Sequence, residues 1–390
     1  MHDTTRNLSA TAAVCIGTLA LASAMGIGRF SLTPIMPLMQ QDLGLTLPQG
    51  SWLATGNYLG YLAGALICAA IAPRPASAIR WGLVCVGIFT LAMAPTHSLP
   101  LWFAFRLAAG VASAFVLIGV SAWAMPILAH HDVGHWSGRI FAGVGIGIAF
   151  AGLVGLAAAV EAWGSQLTWI ALGLVACVLA AALWSPLVAE HRPVALPIVS
   201  APGPLSRRSL IVAACYGAFG YGYIIPATFL PSLARGYMNN PAVFGMVWPV
   251  FGLAGAISTV IAARLLDRIS ARQLWTASQW VLAVGVLAPV LAVNVATLSI
   301  AALCVGGSFM VITMAGIKEA MRLGGAHAAR AVGIMTAAFG LGQIAGPLIV
   351  GYFAGSSGAR VLPSLLAVTA LVVSNVVLYV VDDDHPGAAQ

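Results

Sequence analysis

The chain is 390 residues long, 61% of them hydrophobic and only 7% charged, with a formal net charge of +7. An ordinary soluble domain carries about 25% charged residues, so the solvent for most of this surface must be lipid. The basic residues are scattered over short segments instead of forming one patch, which argues against a nucleic-acid partner.

A membrane span needs roughly 20 apolar residues. Twelve runs qualify in chain order: 8–39, 52–72, 81–99, 101–128, 140–163, 167–188, 210–233, 243–266, 274–293, 296–317, 331–353 and 361–381. The expected fold is therefore all-α, a polytopic membrane protein of twelve transmembrane helices. The first run begins after Arg6 and passes Ala22-Ser23-Ala24, which resembles a signal peptide with a cleavage site. The run continues through Phe30 and Ile35 to Met39, so it reads as a span.

The connecting segments set the orientation. With the N-terminus in the cytoplasm, one side collects Arg6, Arg74, Arg80, Arg139, Arg192, Arg207, Arg208, Arg264, Arg268, Arg272, Lys318, Arg322 and Arg330. The opposite side receives Arg235 and Arg360. That bias puts both termini in the cytoplasm of a plasma (inner) membrane.

The longest polar interruption, residues 189–209, is rich in Pro and Arg and separates six runs from six. It divides the chain into an N-terminal bundle (1–188), a cytoplasmic linker and a C-terminal bundle (210–390). The halves repeat one another. Gly26, Gly28 and Pro37 correspond to Gly220, Gly222 and Pro231 at a constant offset, and Leu62-Ala63-Gly64-Ala65-Leu66 recurs as Leu253-Ala254-Gly255-Ala256-Ile257. Ala114-Phe115 is echoed by Ser308-Phe309. A parallel repeat of two six-span halves places a solute site near the midplane between them.

Several segments then resemble the major facilitator superfamily of secondary transporters. Arg264-Leu-Leu-Asp267-Arg268-Ile-Ser-Ala-Arg272 is similar to its loop signature, and Phe105-Arg106-Leu-Ala-Ala-Gly110 to its fourth-span arginine motif. Gly340-Leu-Gly342-Gln343-Ile-Ala-Gly346-Pro347 resembles its Gly-Pro packing motifs. Gly26-Ile-Gly28-Arg29-Phe30 with Pro34 and Pro37, and Gly222-Tyr223-Ile-Ile-Pro226 through Pro231, look like the YbfB/YjiJ branch. The resemblance implies that spans 1, 4, 7 and 10 line a central cavity. The segment Pro73-Arg74-Pro75 to Arg80 lacks the acid of the loop signature, and span 5 keeps glycines (Gly143, Gly145, Gly147, Gly152, Gly155) without the family's proline. Those glycines still permit close helix contact.

Arg29 and Arg106 interrupt the long apolar runs. An arginine at the bilayer centre costs roughly 3 kcal/mol on insertion scales and cannot shed its charge. Arg29 lies ten residues from the end of its run, about 15 Å along a helix, too far to snorkel easily. Arg106 lies nearer its end. Each could face an internal polar cavity or bond neighbouring backbone carbonyls. The acids (Asp3, Asp42, Asp132, Glu161, Glu190, Asp267, Glu319, Asp382, Asp383 and Asp384) and the eight histidines fall in loops, at termini or near run ends. An anionic solute is then the simplest counter-charge, since arginine prefers carboxylate or phosphate oxygens.

Asn57 and Tyr61 share a helix face with Tyr58 beside it. Tyr223 occupies the repeat position of Arg29, and Gln343 sits among glycines, where a buried amide needs a partner. The expected substrate-binding set is Arg29, Asn57, Tyr58, Tyr61, Arg106, Tyr223 and Gln343. Asp267 with Arg268 or Arg272 is the expected cytoplasmic gate. His130, His131, Asp132 and His135 read as a solvated turn, and the six cysteines, all within apolar runs, as core residues. No nucleotide motif or P-loop occurs, so no cofactor or metal is expected and no enzymatic activity. The expected function is secondary transport of a small organic anion by a monomer. Efflux of lipophilic or neutral drugs is the alternative, followed by a non-transporting membrane sensor.

Overall fold

In the computed structural model the described residues are 8–187, 205–238, 240–356, 358 and 361–383. Arg6, Arg360 and most of the linker 189–209 lie outside them. Twelve helical spans make up the described chain, with no strand among the described residues. In order they are α1 (Ala10–Asp42), α2 (Leu47–Ile71), α3 (Pro75–Leu91), α4 (Leu99–His130), α5 (Ser137–Val160) and α6 (Gly164–Trp184). The second half comprises α7 (Arg207–Tyr237), α8 (Pro241–Leu265), α9 (Ala271–Leu291), α10 (Val295–Gly324), α11 (Ala328–Phe353) and α12 (Leu362–Asp383). Eleven are long and apolar enough to cross a membrane; α3, with 17 residues, is shorter. Large apolar side chains such as Leu66 and Val178 face outward, as expected where lipid and not water is the solvent.

The helix starts follow local chemistry. Thr46 with Gln49, Ser270 with Gln273, and Asn294 with Thr297 form reciprocal caps at α2, α9 and α10. Each satisfies backbone N–H groups that the first turn leaves without partners. The span expected at 81–99 begins earlier, with Pro75 in the first turn, and ends at Leu91. Residues 92–98 contain Pro95, which cannot donate to a helical ladder, followed by the polar Thr96, His97 and Ser98.

Two departures matter for function. The single helix expected at 8–39 is three segments: α-helix Ala10–Leu21, a π-helical stretch Ala22–Arg29 and α-helix Leu32–Asp42. The wide turn closes with Phe30 N–H on the Met25 carbonyl (3.1 Å), and Thr33 N–H goes to the Phe30 carbonyl (3.2 Å). The Arg29 carbonyl is thereby free for a side chain. Secondly, α10 runs past the apolar run to Gly324 and carries Lys318, Glu319 and Arg322 inside the helix. That stretch, Lys-Glu-Ala-Met-Arg-Leu, consists of good helix formers.

The halves meet along α5 and α8, where glycines allow backbone contact. A Cβ at Gly145 would lie 2.3 Å from the Ala256 backbone nitrogen, and one at Gly152 would lie 2.6 Å from Pro249. On the opposite face of α5, a Cβ at Gly26 would fall 2.2 Å from the Gly147 carbonyl carbon. This seats the π-helical stretch directly on α5.

At the bundle end away from the described chain ends, α1 and α7 cross. Thr33 Oγ1 donates to the Ala227 carbonyl (3.0 Å). Arg235 donates to the Pro37 carbonyl and, at 2.9 Å, to Gln41 Oε1. Thr33 and Ala227 are 194 residues apart, as are Gln41 and Arg235, the same offset that relates Gly26 to Gly220. Repeat-equivalent positions therefore face one another across a pseudo-twofold axis.

Candidate solute site between the halves

The freed carbonyl of Arg29 accepts a hydrogen bond from Arg106 Nη2 at 2.6 Å. The carbonyl of Arg106 in turn accepts from Asn57 Nδ2 at 2.9 Å. The three elements α1, α2 and α4 are thus tied at one depth, and the backbone under Arg29 is fixed independently of its own side chain.

The Arg29 guanidinium is 4% exposed. Its Nη2 donates to Gln343 Oε1 at 2.5 Å, and Gln343 Nε2 donates to the Tyr223 hydroxyl. The Tyr61 ring lies 3.9 Å from the guanidinium carbon, with Phe30 at 5.2 Å and Tyr58 at 5.5 Å. Such contacts contribute about 0.5–2 kcal/mol each when desolvated. They offset part of the burial cost while leaving the charge in place. Tyr58 shares a hydrogen bond of 2.9 Å with Thr228 on α7. Arg106, 1% exposed, has the Trp169 ring 5.8 Å from its guanidinium carbon.

All seven substrate-binding candidates converge on this layer, from α1, α2, α4, α7 and α11. Their immediate contacts differ among themselves. Arg106 bonds a backbone carbonyl, the plainer of the two readings open to it, and Asn57 holds Arg106. Sequence reasoning missed Phe30, Trp169, Thr228 and the rings of Phe309 and Phe339. Thr228 carries no sequence signal of its own, since a threonine can bond the preceding turn of its own helix.

Several buried polar atoms here have no hydrogen-bond partner: Arg29 Nε, Arg106 Nε and Nη1, Asn57 Oδ1 and Trp248 Nε1. Among the described residues, no carboxylate pairs with either guanidinium. Asn57 Oδ1 is an acceptor and the other four are donors. Buried polar groups are normally satisfied, so four unsatisfied donors in one layer call for an explanation. The layer can accept an anion with hydrogen-bond acceptors.

Two cavities lie elsewhere. One of about 330 Å³ is lined mainly by apolar residues, including Ile225, Phe229, Leu233, Val286 and Pro289, and by no charged one. Another of about 410 Å³ opens between Asp42 and His97. Neither includes Arg29 or Arg106 in its lining.

The three residues expected to form the gate are placed differently from one another. Asp267 and Arg268 are exposed, and Asp267 forms no ion pair with Arg268 or Arg272. Arg272 instead turns inward, 5% exposed, and donates to Glu319 Oε1 through Nε (3.0 Å) and Nη2 (2.6 Å). Its Nη1 donates to the Leu378 carbonyl at 3.0 Å, and Arg322 donates to both Glu319 oxygens, through Nε to Oε2 (2.8 Å) and Nη2 to Oε1 (2.7 Å). Glu319, placed outside the spans by hydropathy, is 1% exposed and joins α10 to α9 through Arg272, which in turn reaches α12. Breaking a buried pair by removing one partner costs about 3–5 kcal/mol, so Glu319→Gln should markedly lower the unfolding temperature. Asp267→Asn should shift stability by less than about 0.5 kcal/mol, as an exposed substitution does. Unfolding of the detergent-purified variants checks both, and the reverse order would restore Asp267 as the structural acid.

The structure resembles two solved structures of the nucleoside transporter NupG. For one, a point mutant of that transporter, the TM-score is 0.71 at 13% identity, covering 93% of this chain and 98% of that one. For the other the TM-score is 0.72 at 13% identity, covering 96% and 99%. At that identity the likeness establishes the major facilitator fold, two six-helix bundles. The "Uncharacterized MFS-type transporter YceJ" of Bacillus subtilis (strain 168) is 26% identical over 265 residues, 63% of this chain. The match spans 64% of that relative's length. The family described as "Uncharacterised MFS-type transporter YbfB" matches residues 21–379. With a twelve-helix fold and a family match over nearly all of its length, the chain belongs to this family of MFS-type membrane transporters.

Proposed function

We propose that this transporter carries a small organic anion, a carboxylate in the first instance, by alternating access around Arg29 and Arg106. The observation that supports this reading is the set of partnerless buried donors on two guanidiniums with no carboxylate beside them among the described residues. A carboxylate suits them because charge-assisted bonds to guanidinium are about twice as strong as neutral ones. Rocking of the halves around a central site is the general means of such transport. On this reading Gln343 is displaced by the solute, and the α1–α7 contacts at Thr33, Pro37 and Gln41 separate when that end opens.

The proposed setting is the inner membrane with both termini cytoplasmic, on the strength of the arginine bias. A green fluorescent protein fused after Gln390 should then fluoresce, and a dark, fully expressed fusion would reverse the orientation. An inside-negative potential opposes uptake of one net negative charge by about 2.3 kcal/mol per 100 mV. Export of the anion is therefore favoured unless cations enter with it.

A neutral planar solute is the second reading. It is favoured by the amides of Asn57 and Gln343 and by the parallel rings of Tyr223 and Phe339 (5.6 Å, 2°). The NupG neighbours are named as nucleoside transporters. It leaves the charge of Arg29 unanswered, whereas an anion answers it. Thermal-shift measurement on the purified protein decides between them, using carboxylates, their amides, uridine and lipophilic neutral drugs. Carboxylates should raise the unfolding temperature and the matched amides should not. A shift with uridine alone would turn the assignment to the neutral class.

A further inference from the structure

The two halves contribute unlike walls to this layer, and the contrast falls on repeat-equivalent positions. Arg29 on α1 corresponds to Tyr223 on α7. On α2 and α8, where Leu62 matches Leu253, Asn57 corresponds to Trp248. One half has kept polar and cationic groups at these places and the other aromatic rings.

The rings form an ordered surface. Tyr223 is parallel to Phe309 (5.7 Å, 7°) and to Phe339 (5.6 Å, 2°). Phe251 continues it against Phe309 (5.5 Å), and Trp248 stacks on Phe251 (4.6 Å, 23°). Trp248 then reaches Phe30, beside Arg29, at 6.4 Å.

Two features separate this surface from ordinary core. The buried Trp248 Nε1 and Arg29 Nε at its edge lack partners. Phe339 is only half-buried, although it lies one turn from the fully buried Gln343 and points toward α7, where it stacks on Tyr223. The exposed Leu341 occupies a different side of the same helix. An incompletely covered ring on the inner face, one helical turn from a charge-bearing site, is a stacking platform for another ring.

We propose that the solute is a planar aromatic carboxylate. Its carboxylate takes the place of the Gln343 oxygen on Arg29, and its ring lies against Phe339 and Tyr223. This rests on the anion reading above and narrows it.

Isothermal titration of the full-length protein in detergent tests it with benzoate, cyclohexanecarboxylate and benzamide. Benzoate should bind roughly two- to tenfold tighter than cyclohexanecarboxylate, the range an aromatic pair contributes beyond buried area. Benzamide should bind far more weakly than benzoate. Phe339→Leu should erase the preference between the two carboxylates, whereas Phe339→Tyr, which keeps the ring, should retain it. The Tyr variant also serves if the Leu variant fails to fold. Equal binding of the two carboxylates overturns the aromatic assignment and leaves the anion reading standing. Equal binding of benzoate and benzamide overturns the anion reading, and failure of both carboxylates to bind overturns both.

Discussion

Arg29→Gln should weaken carboxylate binding by roughly ten- to a hundredfold, the effect of losing a charge-assisted hydrogen bond of about 1.5–3 kcal/mol. Arg29→Lys keeps the charge but loses the planar fork, so its loss should be smaller yet measurable. The structure adds a prediction about stability. Arg106 grips the Arg29 carbonyl and not its side chain, so the π-helical segment keeps its anchor in either variant. A buried cation without a carboxylate partner is a cost to the folded state. Removing it should leave the unfolding temperature of the unliganded protein unchanged or higher, while binding falls. Arg106→Gln should do the opposite, lowering stability by freeing the Arg29 carbonyl. If Arg29→Gln instead destabilises the protein and weakens a carboxylate and its amide equally, Arg29 serves helix packing and the anion reading fails. Titration and unfolding of the same purified samples give both quantities.

This pairing of lost binding with retained stability follows from how the site was legible at all. In a chain whose solvent is lipid, a charge or amide within an apolar run survives only for a reason. Arg29, Arg106, Asn57 and Gln343 therefore stand out by their positions within the apolar runs. Tyr223 stood out by repeat position. Trp248, beside Pro249, interrupts its span and is visible in the sequence, but the aromatic wall as a whole is not, because Phe309 and Phe339 are what any apolar helix contains. Only their planes, parallel to that of Tyr223, distinguish them.

The same physics explains the misplaced residues. Hydropathy locates where lipid is, not where a helix stops, so the apolar run of α10 ends at residue 317 with Glu319 just beyond it. The helix continues to Gly324, and the carboxylate is buried because two arginines converge on it. The loop pattern drew attention to Asp267, yet the inward arginine of that pattern, Arg272, is held by an acid on another helix. The π-helical stretch left no hydropathy signal whatever, since it is a property of backbone hydrogen bonds. Gly26 and Gly28 mark the internal repeat in the sequence, and only the structure shows Gly26 seated on the Gly147 backbone.

Gln343→Glu should abolish transport, and the reason lies in what Gln343 does at rest. Its amide oxygen sits 2.5 Å from Arg29 Nη2, where an anionic oxygen of the solute would bind, and its nitrogen donates to the Tyr223 hydroxyl. The amide acts as a neutral stand-in: strong enough to satisfy one guanidinium donor, weak enough for a charged carboxylate to displace. A carboxylate at this position keeps the geometry, and the Tyr223 hydroxyl can rotate to donate to its second oxygen. The result is a well-bonded buried ion pair across α1 and α11, the case in which such pairs are favourable. The unfolding temperature should therefore rise, added carboxylates should no longer raise it further, and solute flux in proteoliposomes should fall to background. Gln343→Leu removes the competitor, so carboxylate affinity should hold or increase while the link to Tyr223 is lost. Flux at the wild-type level in the Gln343→Glu protein would mean that the solute never takes the Gln343 position on Arg29. The carboxylate site would then have to be built on Arg106 instead.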